Sequence, residues 1–333
     1  MGATCLGLLD LDLIGHILNP RHGLRNFFRK SLRLAVLNIT FQSDFAILDR
    51  YLNVGVAEQN MVGVAAGLAK AGLRPILYGL SAFVPVRVLE QIKLDICYEE
   101  LPVVMIGDGA GFVYGALGAS HHCTEDISAL RAIPNVRILS PADAHEMTRA
   151  MELAFSLERP VYIRIGKCDI GAVHERVIEY DWGELIEMRA GDGDLGFIAT
   201  GPMVKAALKE AARWVGSSVW SAPSLKPLNA KQVIAICHHH RAIVTLEEHS
   251  IYGGLGAAIA EISSTDAPCW IGRIGVQDRF AQYAGSYEYL RSEHGLDASG
   301  ISRQVDELMA RIDNANLRNA QSFRTEILAR DNK

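Results

Sequence analysis

The chain lacks paired or regularly spaced cysteines, internal repeats, low-complexity tracts and any apolar run long enough to cross a membrane. Its six cysteines, Cys5, Cys97, Cys123, Cys168, Cys237 and Cys269, stand singly. That pattern argues against a disulfide framework or a zinc site and fits a reducing compartment. An excess of one charge is missing too. With 33 basic against 38 acidic residues the formal charge is −5, which offers nothing to draw nucleic acid or an anionic membrane. Residues 4–18 are mostly apolar, yet Asp10 and Asp12 interrupt them and no basic segment precedes them, the reverse of a secretion signal. Arg21, Arg25, Arg29, Lys30 and Arg33 follow, and two accounts stand: a solvated helix face or a degenerate targeting segment. The expected setting is the cytoplasm, with neither nucleic acid nor membrane as partner.

What is present is the make-up of a folded enzyme-sized chain. At 333 residues, 49% of them hydrophobic, it is long enough for two domains with a core each. From residue 34 short apolar runs alternate with helical patterns, which predicts an α/β fold: a parallel sheet with helices on both faces, then a smaller α/β domain. Strands are expected over 34–39, 75–79, 103–107, 136–139 and 161–165, and helices over 57–70, 83–98 and 124–131. Ser140-Pro141-Ala142-Asp143 reads as a further helix start, with Ser140 as cap and Pro141 in the first position. Residues 166–194 show no sustained helical period and hold two short β-like pieces. Beyond them, strands are expected over 195–200, 218–220, 242–247 and 270–274, with helices over 203–215 and 255–262. His238-His239-His240 reads as an exposed turn rather than a metal site, since adjacent histidines on an extended chain point apart.

The most informative stretch is Tyr51-Leu-Asn-Val-Gly-Val-Ala-Glu58-Gln-Asn-Met-Val-Gly-Val-Ala-Ala-Gly-Leu68. It reads as a strand, a glycine, and a helix whose first turn carries a carboxylate. Stabilisation by the helix dipole accounts for Glu58, and so does a catalytic role. Gly63, Ala65, Ala66 and Gly67 let something pack closely on that helix.

This stretch resembles the glutamate motif of transketolases, deoxyxylulose phosphate synthases and the β subunits of 2-oxo acid dehydrogenases. The resemblance runs on through Leu101-Pro-Val-Val, Gly118-Ala-Ser-His121-His122, Glu125-Asp126-Ile127, Ile133-Pro134-Asn135-Val136 and Ser140-Pro141-Ala142-Asp143. Ile198-Ala-Thr-Gly201, Lys226-Pro-Leu228, Thr245-Leu-Glu-Glu-His249, Gly253-Gly-Leu-Gly256 and Asp278-Arg-Phe280 are similar to the transketolase C-terminal domain. The resemblance implies an irregular segment over 1–33, a pyrimidine-binding domain over 34–166, a linker over 167–194 and a C-terminal domain over 195–320. It implies thiamine diphosphate as cofactor, with Glu58 bonded to N1′ of the aminopyrimidine, favouring the tautomer whose 4′ nitrogen takes the C2 proton of the thiazolium. Phe83 is the aromatic nearest the position that covers the pyrimidine; a core phenylalanine is the other account. Arg87 matches an arginine of the synthase-like members that faces substrate, against an ordinary surface arginine. His121 matches a histidine beside the substrate, and Arg164 an arginine that clamps a sugar phosphate, against a structural salt bridge.

Typical transketolases carry Gly-Glu-Asp-Gly-Pro-Thr-His where this chain has Gly115-Ala-Leu-Gly-Ala-Ser-His121, so Leu117 replaces the aspartate that reads sugar hydroxyls. Gly107-Asp108-Gly109 ahead of Asn135 imitates the superfamily's magnesium-diphosphate fingerprint, but the residues between match the active-site loop of the pyrimidine-binding domain. No complete metal site is therefore expected. Mg²⁺ and the diphosphate would belong mainly to a partner, a transketolase subunit of the N-terminal type bringing roughly 250 residues of its own. Self-association is expected as well, in a two-plus-two heterotetramer. The resulting reading is a split-transketolase β subunit moving a two-carbon ketol unit between sugar phosphates. A deoxyxylulose phosphate synthase-like or 2-oxo acid dehydrogenase β-like subunit, or a non-catalytic assembly subunit, are the alternatives.

Overall fold

The computed structural model describes residues 34–38, 51–167 and 169–331. The apolar and basic N-terminal stretch lies outside the described residues.

Two mostly parallel sheets organise the chain. The first is built from β1 (Leu34–Asn38), β2 (Tyr51–Asn53), β3 (Arg74–Leu80), β4 (Val104–Asp108), β5 (Arg137–Leu139), β6 (Val161–Arg164) and β10 (Ser224–Lys226). These seven strands lie in the order β10-β5-β6-β4-β3-β1-β2. The second is built from β7 (Ile186–Arg189), β8 (Leu195–Ala199), β9 (Ser218–Ser221), β11 (Ala242–Ser250) and β12 (Trp270–Val276), in the order β12-β11-β8-β9-β7. β3, β4, β6 and β8 are near-continuous apolar runs because helices or loops cover both faces of a parallel sheet.

Helix α1 (Glu58–Lys70) buries Met61, Val62, Ala65, Ala66 and Ala69 against the first sheet. Its opposite side carries Gly63 and Gly67, where an added Cβ would meet nothing within 4 Å. Gly72, at φ 86°, ends it in the left-handed region that glycine enters freely. On the other face of the sheet, α2 (Ala144–Ser156) packs Met147, Ala150, Met151 and Ala154 beside Val104, Ile106 and Ile163. A third core gathers Phe197, Val219, Leu246, Leu290 and Val305 around the second sheet.

Several elements depart from the pattern-based expectation. Asp143, not Ser140, caps α2: its carboxylate accepts the amides of His145 and Glu146, both at 3.0 Å. The expected helix over 83–98 begins only at Val86, as a 3-10 turn that passes through Leu89–Gln91 into a π-helix over Ile92–Cys97. The three histidines close a helix, Ala230–His239, that buries Val233, Ile236 and Cys237. His238 and His239 are exposed at its end, whereas His240 is buried with Nδ1–H donating to the Gly193 carbonyl at 2.7 Å. The stretch 166–194, where two short β-like pieces were expected, contributes β7, antiparallel to β9. Strand β10 crosses from the second half to the first sheet and pairs antiparallel with β5.

Candidate functional site

Glu58 stands at the first position of α1, directly after Gly55 (φ 74°), Val56 and Ala57. Its carboxyl is buried, with the side chain 6% exposed, although Val56, Gln59 and Asn60 around it are open to solvent. Its Oε1 accepts a hydrogen bond from Arg87 Nη1 at 2.9 Å. Arg87 lies four residues beyond Phe83, and its guanidinium rests over the Phe83 ring, 3.9 Å from the centroid. His121 meets the same phenylalanine edge-on at 5.3 Å, and Ser120 Oγ lies 3.0 Å from its Nδ1. Four of the five residues singled out in the sequence, Glu58, Phe83, Arg87 and His121, therefore form one continuous cluster.

His121 arrives on the loop that follows β4. The base of that loop is pinned. Gly111 and Cys123 exchange backbone hydrogen bonds of 2.7 and 2.9 Å. Glu248 Oε1 accepts the Phe112 amide at 2.8 Å, and Glu248 Oε2 accepts the Tyr287 hydroxyl at 2.5 Å. At Gly111, φ is 71° and an added Cβ would fall 2.2 Å from Glu248 Oε1, so only glycine fits. Leu117 sits further out on the loop, 56% exposed.

Arg164 is elsewhere. At the end of β6 its side chain is 2% exposed, and Nε meets both oxygens of Asp126 at 3.1 and 2.9 Å. Nη2 donates to the carbonyls of Cys123 (3.2 Å) and Glu248 (2.8 Å), while Tyr162 donates its hydroxyl to Asp126 Oδ2 at 2.7 Å. The guanidinium is thus committed to a buried ion pair within the first half of the chain and, through the Glu248 carbonyl, to the second half; it is not brought into the Glu58 cluster. The structural account of Arg164 is the one this geometry matches.

The Thr245-Leu-Glu-Glu-His249 end of β11 extends that junction. Glu247 accepts the amides of Leu255 and Gly256 at 2.7 and 2.8 Å, holding the N-terminus of the helix Leu255–Asp266. Burial pushes the Glu247 carboxyl up to about 7, against the pull of those two amides. Burial likewise drives His249 down to about 4. Its ring is held neutral: Nδ1–H donates to the Ser250 carbonyl at 2.8 Å and Nε2 accepts the Ser128 amide at 3.3 Å.

With this arrangement in view, comparison with known proteins is decisive. The family model for the transketolase pyrimidine-binding domain matches residues 17–171, and that for the transketolase C-terminal domain matches residues 184–301. The chain is 33% identical over 258 residues to one of the subunits of the apulose-4-phosphate transketolase of Actinobacillus succinogenes, covering 76% of this chain and 83% of that one. The chain belongs to the transketolase family. It is also 35% identical to a 6-deoxy-6-sulfo-D-fructose transketolase subunit of a Clostridium species, over 79% of this chain and 82% of the other. The solved structure of a split-gene transketolase, an inactive beta4 tetramer, superposes with a TM-score of 0.79 at 31% identity, covering 90% of this chain and 97% of that one. The α/β architecture is that of the family, and its members bearing these names are transferases.

The transketolase family implies thiamine diphosphate, and the residues present fit one end of it. The aminopyrimidine calls for a buried carboxyl beside an aromatic face, and Glu58 and Phe83 supply both. The diphosphate calls for a divalent cation. Among the described residues no group of three or more His, Cys, Asp or Glu side chains is placed to hold a metal ion. In the GDG-like stretch, Asp108 accepts the hydroxyls of Tyr78 and Tyr114, each at 2.8 Å, and Asn135 Nδ2 donates to the Cys97 carbonyl at 3.1 Å. Sequence reasoning missed the direct bond between Arg87 and Glu58. No spacing in the sequence signals that bond, because it joins the turn after β3 to the start of α1. Sequence reasoning also missed Asp126 and Glu248, which the sequence shows only as ordinary acids in family-like runs. Among the described residues no helix is long and apolar enough to cross a membrane.

Proposed function

We propose that the chain is one subunit of a two-subunit transketolase, transferring a two-carbon ketol unit between sugar phosphates with thiamine diphosphate. The observation that carries this reading is a buried carboxyl, Glu58, opening a helix within one contiguous cluster with Phe83 and His121. In this reading Glu58 hydrogen-bonds the aminopyrimidine nitrogen and Phe83 covers the ring. The cofactor, when bound, supplies the carbanion chemistry. His121, against the edge of Phe83 and beside Ser120, assists proton transfer at the donor or acceptor sugar. Val56, 87% exposed just ahead of Glu58, and the open face of α1 with Gly63 and Gly67 bare are where a partner carrying the diphosphate and Mg²⁺ would complete the site. The two subunit-type relatives and the split-gene structure support this division of labour. The beta4 tetramer of the split-gene structure supports self-association. The free thiols of Cys97, Cys123 and Cys237, all buried, suit a cytoplasmic setting.

The exposed Leu117 carries no acceptor for a sugar hydroxyl, so we propose an acceptor that differs from the common pentulose and hexulose phosphates. The test is co-expression with the neighbouring reading frame, followed by cofactor titration and assay of ketol transfer. Glu58→Ala is expected to lower turnover by about 10²–10⁴-fold, the usual range for a proton-transfer group. Full turnover in that variant would defeat the assignment.

A further inference from the structure

The Arg87 guanidinium is a flat cation lying on Phe83 and hydrogen-bonded to Glu58. Those are the two contacts that the reading above gives to the aminopyrimidine, itself a flat ring carrying N–H donors. One aromatic face at 3.9 Å and one carboxylate oxygen at 2.9 Å leave no room for both groups at once. We propose that Arg87 is a built-in competitor for the pyrimidine slot. In the cofactor-free chain its side chain fills the place of the ring, and the ring binds only as the arginine swings away. The proposal rests on the assignment of Glu58 and Phe83 to the cofactor.

Three features of the residue favour a movable occupant over a fixed structural pair. Arg87 is 46% exposed, so its outer flank is free to lead it into solvent, whereas its partner Glu58 is 6% exposed and stays. It sits on a 3-10 turn, Val86–Val88, whose only buried residue is Val88. Arg164 offers the contrast, with its guanidinium held by an acid and two carbonyls at 2% exposure. A half-exposed ion pair together with an exposed cation–π contact sets the strength of the competition. Their typical values convert to a weakening of cofactor affinity of roughly 5- to 30-fold. Displacement also frees a guanidinium at the mouth of the site, where it can meet an anionic substrate after the cofactor is seated.

The test is a binding measurement. The chain alone is titrated with 4-amino-5-hydroxymethyl-2-methylpyrimidine by NMR, and the complex with the neighbouring reading frame is titrated with thiamine diphosphate by calorimetry. Wild type, Arg87→Ala, Arg87→Lys and Glu58→Ala are compared. Both Arg87 variants are expected to bind each probe about 5- to 30-fold more tightly, because lysine keeps the charge but cannot lie flat across the ring. Tightening in Arg87→Ala but not in Arg87→Lys would reduce the effect to charge repulsion and overturn the competitor. Unchanged or weaker binding in Arg87→Ala, with binding lost in Glu58→Ala, overturns the competitor while leaving the cofactor assignment standing. Absence of binding by the wild-type complex overturns both.

Discussion

Replacing Arg164 by methionine separates a structural arginine from a phosphate clamp. The side chain is removed from a pocket where Asp126 is fully buried and, among the described residues, has the Tyr162 hydroxyl as its one other side-chain donor. Breaking a buried pair by deleting one partner costs about 3–5 kcal/mol, since the remaining charge stays out of water. The carbonyls of Cys123 and Glu248 also lose the Nη2 donor, so the upper half of that range is expected. For a cooperative unit of this size, each kcal/mol corresponds to roughly 2–4 °C, giving a fall in Tm on the order of 10 °C or more. Urea unfolding followed by fluorescence and circular dichroism measures the loss, and coincidence of the two signals validates a single transition. Adding Asp126→Asn should return roughly 1 kcal/mol or more, because the amide keeps an oxygen for Tyr162 without the stranded charge. A variant with an unmoved midpoint and a raised KM for a sugar phosphate would refute the reasoning and restore Arg164 to the substrate.

The other expectations concern the same junction and its pH response. The Glu247 carboxyl, raised from 4.5 to about 7, holds a proton in the folded chain that the unfolded chain releases, so this group lowers stability as pH climbs from 4.5 to 7. His249, lowered from 6.5 to about 4, refuses a proton that the unfolded chain takes, so it lowers stability as pH falls through that window. The two slopes oppose each other between 4.5 and 6.5, and Glu247→Gln should unmask the histidine: stability rising with pH by up to roughly 3 kcal/mol. A flat profile in that variant, measured by urea midpoints across the window, would contradict this. Gly111→Ala should cost at least about 1–2 kcal/mol from the left-handed backbone alone, with more from the contact with Glu248. An unfolding midpoint equal to wild type would show that the loop tolerates a side chain there.

The sequence made α1 and its opening glutamate legible, because a glycine, a first-turn acid and a small-residue helix each leave a local signature. The burial of Glu58 and its bond to Arg87 were not, since they depend on how the turn after β3 folds back over α1. Phe83 and Arg87 looked like independent guesses until the 3-10 turn placed one over the other. Arg164 carried two accounts, a phosphate clamp from its match to a family arginine and a structural salt bridge, and only the path of α-helical Asp126–Arg131 shows the acid beneath it. The helix Ala230–His239 was readable from Asn229 as cap and from Val233, Ile236 and Cys237 on one face, but three consecutive histidines drew attention to a turn. The long helix Ala298–Asp331 is polar along much of its length and gave a weak periodic signal. Strand β10, three residues without alternation, gave none.

That short strand has a practical meaning for anyone dissecting the molecule. Ser224–Lys226 leaves its own half of the chain to flank Arg137–Leu139, and Lys226 Nζ reaches on to the Arg131 carbonyl at 2.9 Å. A fragment ending at residue 194 would therefore strip the clasp from β5 and bare a row of amide and carbonyl groups to any second molecule. Clumping of such a truncated piece would report the missing flank, while the natural assembly of the chain must be read from the whole.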